Sequence, residues 1–266
     1  MKNKNNLSNE HLAYLRKERN KKIIITVSRI LILVLILGIW ELCAQVKLID
    51  PFITSSPSRV IKTIGELSRG GKLFYHIGIT LMETIIGFII AVVLGYTIAI
   101  LLWASDSAMK ILEPYIVVLN SLPKIALGPL IIIWIGTGYE AIIFMTVIVS
   151  IIVCIMNTLS GFIEVDKTKL LLMKSMGAGK LTTLKKLVIP ATIPALMNTL
   201  KVAVGLAWIG SIMGEYIVSR AGLGYLIVYG GQVFKLDLVM TATFILCVLA
   251  GGMYGIITLI EKRFNK

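Results

Sequence analysis

Six apolar runs, each long enough to cross a bilayer, set the limits on what this chain can fold into. They are Ile23–Val46, His76–Ala104, Ile111–Ile135, Ala141–Gly161, Ala195–Ile217 and Leu238–Ile260. About 20 residues of apolar helix span the hydrocarbon layer. A helix also satisfies its own backbone groups where no water is present. The runs therefore read as six transmembrane helices of an all-α, polytopic membrane protein. The 266 residues are 57% apolar and 15% charged, and no stretch is polar enough for a soluble domain. The first run is longer than the roughly 7–15 residues of a cleaved signal core, so it reads as retained.

The net charge of +13 could suit nucleic acid, but the basic residues gather in tails and loops and form no single face. We therefore read no nucleic-acid partner. Of 27 Lys and Arg residues, 17 lie in the two tails, at Lys110 and in the 162–194 loop, and 7 on the alternate loops. Only Arg29, Lys124 and Lys201 fall within or at the edge of spans. The bias puts both termini and the long loop in the cytoplasm. The chain divides into a basic tail (1–22), a first span with an external amphipathic segment (23–75), a core membrane domain (76–260) and a short tail (261–266). In the external segment, Val60, Ile61, Ile64 and Leu67 are spaced for a helix over Ser58–Ser68.

Three cysteines (Cys43, Cys154, Cys247) sit singly in apolar runs, and the only histidines are His11 and His76. Neither a disulfide framework nor a metal site is expected. Small residues recur at every fourth position: Gly87, Ala91, Gly95 and Ala99 in the second span, Ala203, Ala207 and Ser211 in the fifth, Gly251 and Gly255 in the sixth. That spacing lets helix backbones approach closely in lipid. No internal repeat is visible.

The third span is interrupted by Pro114, Pro123 and Pro129. Irregular backbone survives at membrane depth only under protein or beside a wet cavity. Asn120, Ser121 and Lys124 flank Pro123, so they read either as the wall of a pathway or as a kink with a lysine snorkelling at the inner surface. Glu83 and Glu215 lie within spans, and each is expected to face other helices or water. A gating role and a structural hydrogen bond are both open for Glu215. RAGLGYLI at 220–227 reads as an external turn entering a short re-entrant or interfacial helix.

The loop 169–190, KLLLMKSMGAGKLTTLKKLVIP, is the internal stretch built to meet another protein in water. It resembles the cytoplasmic signature of ATP-binding-cassette importer permeases, in which Glu-Ala-Ala, three residues, Gly and nine residues precede Ile-x-Leu-Pro. Gly177, Leu187, Ile189 and Pro190 match, whereas Leu171, Leu172 and Met173 replace the opening triplet. SSPSRV (55–60), LPKIALGPLIIIWIGTG (122–138), NTLSG (157–161), GLAWIGSIMGEYI (205–217) and AGLGYLI (221–227) are similar to the nitrate/sulfonate/taurine branch of the type I permeases. Glu83 departs from that branch, which usually carries arginine there.

The resemblance implies the type I importer permease (MetI-like) fold and a chain that is not an enzyme and has no catalytic residues. ATP and Mg2+ would be held by separate cytoplasmic ATPase subunits, and no cofactor or metal by this chain. The other partners implied are an extracytoplasmic solute-binding protein, a second permease copy in a homodimer, and the lipid bilayer of a bacterial cell membrane. The implied ATPase-docking residues are Lys169, Leu170, Leu171, Leu172, Met173, Lys174, Ser175, Met176, Gly177, Ala178 and Pro190. The implied path is lined by Asn120, Ser121, Lys124, Trp208, Ser211 and Glu215. The solute implied is a small anion such as a sulfonate, taurine or nitrate, with a vitamin precursor of the thiamine-pyrimidine or riboflavin type as the alternative. An intramembrane enzyme would need a clustered nucleophile and base, which the spans lack. An ion-coupled carrier would use Glu83 and Glu215 as a relay, but it commonly shows internal repeats.

Overall fold

A computed structural model describes residues 9–264 of the chain. Its long helices are α1 (Asn9–Gln45), α4 (Lys72–Ala104), α7 (Tyr139–Ile163), α11 (Ile193–Val218) and α13 (Leu236–Phe264). Each is long and apolar enough to span a bilayer. The third apolar run forms the bent pair α5 (Asp106–Ser121) and α6 (Gly128–Ile135), joined by a 3-10 turn over Lys124–Leu127 with a bend of 86°, and the two together have the length and apolarity of one further span. Between α1 and α4 lie α2 (Pro51–Thr54) and α3 (Pro57–Arg69). Their prolines initiate the helices, each just inside a cap: Asp50 accepts from Phe52 N at 2.9 Å and Ser56 from Arg59 N. Proline is favoured there because the first helical N–H has no partner to lose.

Small residues set the packing of the core. Helix α7 lies between α4 and α11. A Cβ added to Gly87 would come within 2.5 Å of Thr146, one on Gly95 within 2.6 Å of Cys154, and one on Gly210 within 2.6 Å of the Thr146 backbone. Ala203, Ala207 and Ser211 of the fifth span are enclosed at 1%, 0% and 0% exposure, and the stripe expected in the second span thus brings backbones together. The sixth-span pair does not: a Cβ on Gly251 or Gly255 would meet nothing within 4 Å among the described residues. Within this chain α13 packs through Ile257, Leu246 and Leu249 against Trp208 and Val204, and through Leu238 and Ala242 against α12 (Leu223–Gln232). The hydrophobic stretch of α1 stands apart, tied at its C-terminal end by Glu41, whose carboxylate accepts from Ser58 N and Ser58 Oγ at 2.9 Å.

Contacts divide the bundle into two ends. At one, Ala99, Phe162, Val165, Leu184 and Val188 form a cluster, Lys180 Nζ donates to the carbonyl of Ala104 at 3.1 Å, and Lys201 pairs with Glu261 at 2.7 Å. The 164–192 loop, the ends of α4, α7 and α13, and the start of α11 therefore share this loop end. At the opposite end Arg59 grips Asp237 through Nε (3.1 Å) and Nη2 (2.7 Å), while Ser55 Oγ donates to the same carboxylate at 2.7 Å.

Candidate docking and translocation sites

The loop end presents one short helix, α8 (Lys167–Ser175). It starts two residues before the expected Lys169–Met176 span because Asp166 caps it, accepting from Thr168 N at 2.8 Å. That N–H holds the Asp166 carboxyl below the usual range. Gly177 ends the helix at φ +72°, a backbone conformation that disfavours L side chains. Its N–H bonds to the Lys174 carbonyl and that of Ala178 to the Met173 carbonyl, both at 3.0 Å. This pair of bonds is a Schellman ending, which satisfies carbonyls the helix would otherwise strand.

The docking residues do not all face the same way. Leu171 (64% exposed), Leu172 (60%) and Met176 (75%) form an apolar cap, with Lys169, Lys174 and Ser175 exposed around it. Leu170 instead packs inward on the cluster of Phe162, Val165, Leu184 and Val188, because something must anchor nine residues of helix to the bundle. It is a foundation for the helix rather than part of its outer face. Pro190 is likewise off the helix. It sits in α10 (Ile189–Ala191), directly after α9 (Lys180–Thr183) and a π turn over Leu184–Val188. A proline ring collides with the carbonyl four residues earlier in a regular helix, and the wider π turn accommodates it.

At the break in the third crossing, Lys124 Nζ donates to the Asn120 carbonyl at 3.2 Å and reaches Asn120 Oδ1 at 3.5 Å. The lysine thereby caps the C-terminus of α5, where stranded carbonyls favour a cation. A cavity of about 230 Å³ beside it is lined by Leu119, Leu122, Lys124 and Leu127 with Ile148, Ile151 and Ile152. Those isoleucines are the middle of α7, so the break lies at mid-crossing.

Trp208, Ser211 and Glu215 lie within the bundle. They are 6%, 0% and 1% exposed, enclosed by the chain itself and not grouped with Asn120, Ser121 and Lys124. Ser211 Oγ and Thr84 Oγ1 share a hydrogen bond at 2.7 Å, and Trp208 packs with Leu81 and Phe88. Ser211 and Trp208 hold α11 against α4.

A constellation missed in the sequence stands at the opposite end, around the start of α12. The N–H of Gly222 donates to His76 Nδ1 at 2.9 Å, that of Leu223 to Thr80 Oγ1 at 2.8 Å, and that of Gly224 to Glu215 Oε2. Helix α12 has no side-chain cap of its own, so α4 and α11 supply it. The AGLG glycines are dictated by this contact: a Cβ on Gly222 would fall 2.4 Å from the Glu215 carboxylate. The readable signal was the polar stripe His76, Thr80, Glu83, Thr84 and Gly87 on one face of an otherwise apolar run. For Glu215, the structural hydrogen bond is the reading the geometry realises.

Among the described residues, no group of His, Cys, Asp and Glu could hold a metal ion, and the cysteines are unpaired. Comparison with known proteins agrees with the architecture. The structure is similar to that of the MetNI methionine ABC transporter in inward-facing form, with a TM-score of 0.67, 18% identity, and coverage of 75% of this chain and 99% of that one. A probable ABC transporter permease protein of Haemophilus influenzae is 29% identical over 88% of this chain and 95% of its own length. A putative aliphatic sulfonates transport permease protein of Bacillus subtilis is 24% identical over 94% and 91%. A formylaminopyrimidine transport permease protein of Halalkalibacterium halodurans is 29% identical over 73% and 77%. Residues 91–266, from the middle of α4 through the docking loop to the C-terminus, match the family described as binding-protein-dependent transport system inner membrane component. The chain belongs to that family: it is the membrane permease subunit of an ABC importer, and not an enzyme.

Proposed function

We propose that this chain, paired with a second copy, forms the membrane passage for a small organic anion of the sulfonate or taurine type. An extracytoplasmic binding protein delivers the solute, and cytoplasmic ATPase subunits that bind the outer face of α8 drive its passage. The observation that carries the reading is the helix itself. It is nine residues long, capped at both ends, anchored by Leu170, and topped by Leu171, Leu172 and Met176 in the open. An apolar cap of that size on a loop calls for a partner surface. The excess of Lys and Arg at this end supports a cytoplasmic placement of the loop and of both termini. The break at Asn120, Ser121 and Lys124, mid-crossing and on the outside of the chain, is the stretch suited to face the second copy and the solute. Nitrate fits the same family branch.

A second reading has an observation in its favour. The formylaminopyrimidine permease, 29% identical over 73% of this chain, is as similar to it as the aliphatic sulfonates permeases of Bacillus subtilis and Escherichia coli, at 24% over 94% and 28% over 80%. It makes the solute a vitamin precursor. Uptake by cells that express the complete transporter, measured with labelled taurine, an alkanesulfonate and an aminopyrimidine, separates the two. ATP-dependent accumulation of a sulfonate alone supports the first reading, and accumulation of the pyrimidine alone replaces it with the second. Lys124→Ala tests the path: altered uptake kinetics are expected, and unchanged kinetics remove Lys124 from it.

A further inference from the structure

Two carboxyl groups, 132 positions apart in sequence, meet inside the bundle. Glu83 on α4 is 2% exposed and Glu215 on α11 is 1% exposed. Thr80, one turn before Glu83, and Glu215 hold the successive N–H groups of Leu223 and Gly224, and Thr84, next to Glu83, bonds Ser211, one turn before Glu215, so the two carboxyls face the same spot. Among the described residues no Lys, Arg or His nitrogen forms an ion pair with either; the pairs present are Lys22–Glu18, Arg59–Asp237 and Lys201–Glu261. Glu215 Oε2 is occupied by the N–H of Gly224. The α12 N-terminus therefore accounts for one negative charge. Nothing accounts for a second. Glu83 Oε2 and Glu215 Oε1, both enclosed, are left without a partner when both groups are written as carboxylates.

Two like charges in contact away from water are not both retained; one group takes up a proton. We infer that Glu83 and Glu215 form a single-proton site, in which Glu83 is a neutral acid donating to the Glu215 carboxylate and the pair clamps the start of α12 onto α4 and α11. One proton shared between the two groups supplies the donor that the enclosed carboxyl oxygens lack. The groups around the site are His76, Thr80 and Thr84 on α4, Ser211 and Tyr216 on α11 and Tyr225 on α12. His76 uses Nδ1 as an acceptor from Gly222 and its ring stacks on Tyr225, 6.0 Å between centroids. Glu83 also borders a cavity of about 550 Å³ at the end opposite the loop, lined in addition by Tyr139, Ser219 and Arg220. That cavity gives the proton a route to bulk water. The clamp does not depend on which solute the transporter carries.

The test is infrared spectroscopy on the full chain in lipid nanodiscs, in H2O and D2O at neutral pH. The wild type should show a protonated-carboxyl C=O band that shifts in D2O, and Glu83→Gln should lose it. Glutamine keeps the shape and a donor, so that variant should retain the α12 clamp. A second readout is the thermal midpoint between about pH 6 and about pH 9. It should fall with rising pH in the wild type, because only the folded state holds the proton, and this fall should be absent in Glu83→Gln. No protonated-carboxyl band in the wild type, or a band unchanged in Glu83→Gln, overturns the inference. So does a midpoint in the wild type that responds to sodium against choline but not to pH, since the site would then take a metal cation in place of the proton.

Discussion

Gly177 offers the sharpest perturbation of the docking loop, because it separates backbone strain from steric crowding. A Cβ there would meet nothing within 4 Å among the described residues, so a substitution acts through φ +72°. The left-handed conformation disfavours an ordinary L residue by about 1–2 kcal/mol. Asparagine tolerates it better, and a β-branched residue less well. A strain of that size reduces the population with the Schellman ending by about 5- to 30-fold. A nine-residue helix has little intrinsic stability with which to absorb the loss. Two residues on, Gly179 is a built-in control: its φ is −71°, and a Cβ there also meets open space. The assay is equilibrium binding of the partner ATPase subunits to the permease in nanodiscs, with ATP-driven uptake read in parallel. Affinity should fall in the order Gly177→Asn, Gly177→Ala, Gly177→Val, with about 5- to 30-fold lost for alanine, and Gly177→Val should uncouple ATP hydrolysis from uptake while still inserting. Gly179→Ala should bind as well as the wild type. Equal losses at 177 and 179, or Gly177→Val no worse than Gly177→Asn, would refute the reasoning.

Three further outcomes follow from packing and charge. Gly210→Ala drives a methyl into the Thr146 backbone and should destabilise the chain by about 1–3 kcal/mol in detergent unfolding, whereas Gly255→Ala should leave the isolated chain unchanged; equal effects would mean α7 and α11 are not in backbone contact. Lys201→Met strands Glu261, and because both partners are about one-fifth exposed the expected loss is about 1–3 kcal/mol; Lys201→Met with Glu261→Gln should recover part of it, and no recovery would show that the pair does not interact. Asp166, held low by the Thr168 N–H, contributes to α8 above the ordinary carboxyl value, and the contribution is lost as pH falls through its lower folded value. Amide exchange of α8, corrected for intrinsic rate, should therefore speed up below about pH 4 in the wild chain and be fast at every pH in Asp166→Ala; identical pH profiles would remove the cap.

What could be read from the sequence was whatever local chemistry decides. The six crossings followed from length and apolarity, α3 from the spacing of Val60, Ile61, Ile64 and Leu67, and the end of the docking helix from one glycine. What could not be read needed a second element in place. Lys124 closes on Asn120 only because the chain turns by 86° between them. Leu170 points inward because Val188, eighteen residues later, returns beneath it. Glu83 and Glu215 were visible as costly residues in apolar runs, but their meeting depends on how closely Thr84 and Ser211 let α4 approach α11. Spacing alone also misled: Gly251 and Gly255 follow the same four-residue period as Gly87, Ala91 and Gly95, yet a Cβ on either meets nothing within 4 Å among the described residues. A four-residue period marks a face without naming its partner.

The central claim is that a separate ATPase grips this permease through the exposed cap of α8. A photo-reactive residue in place of Leu172, activated in membranes containing the assembled transporter, tests it most directly. The account predicts a covalent adduct with the ATPase subunit, absent when the same probe replaces Leu170. Capture of lipid alone from position 172, or of a protein on the far side of the membrane, would contradict it.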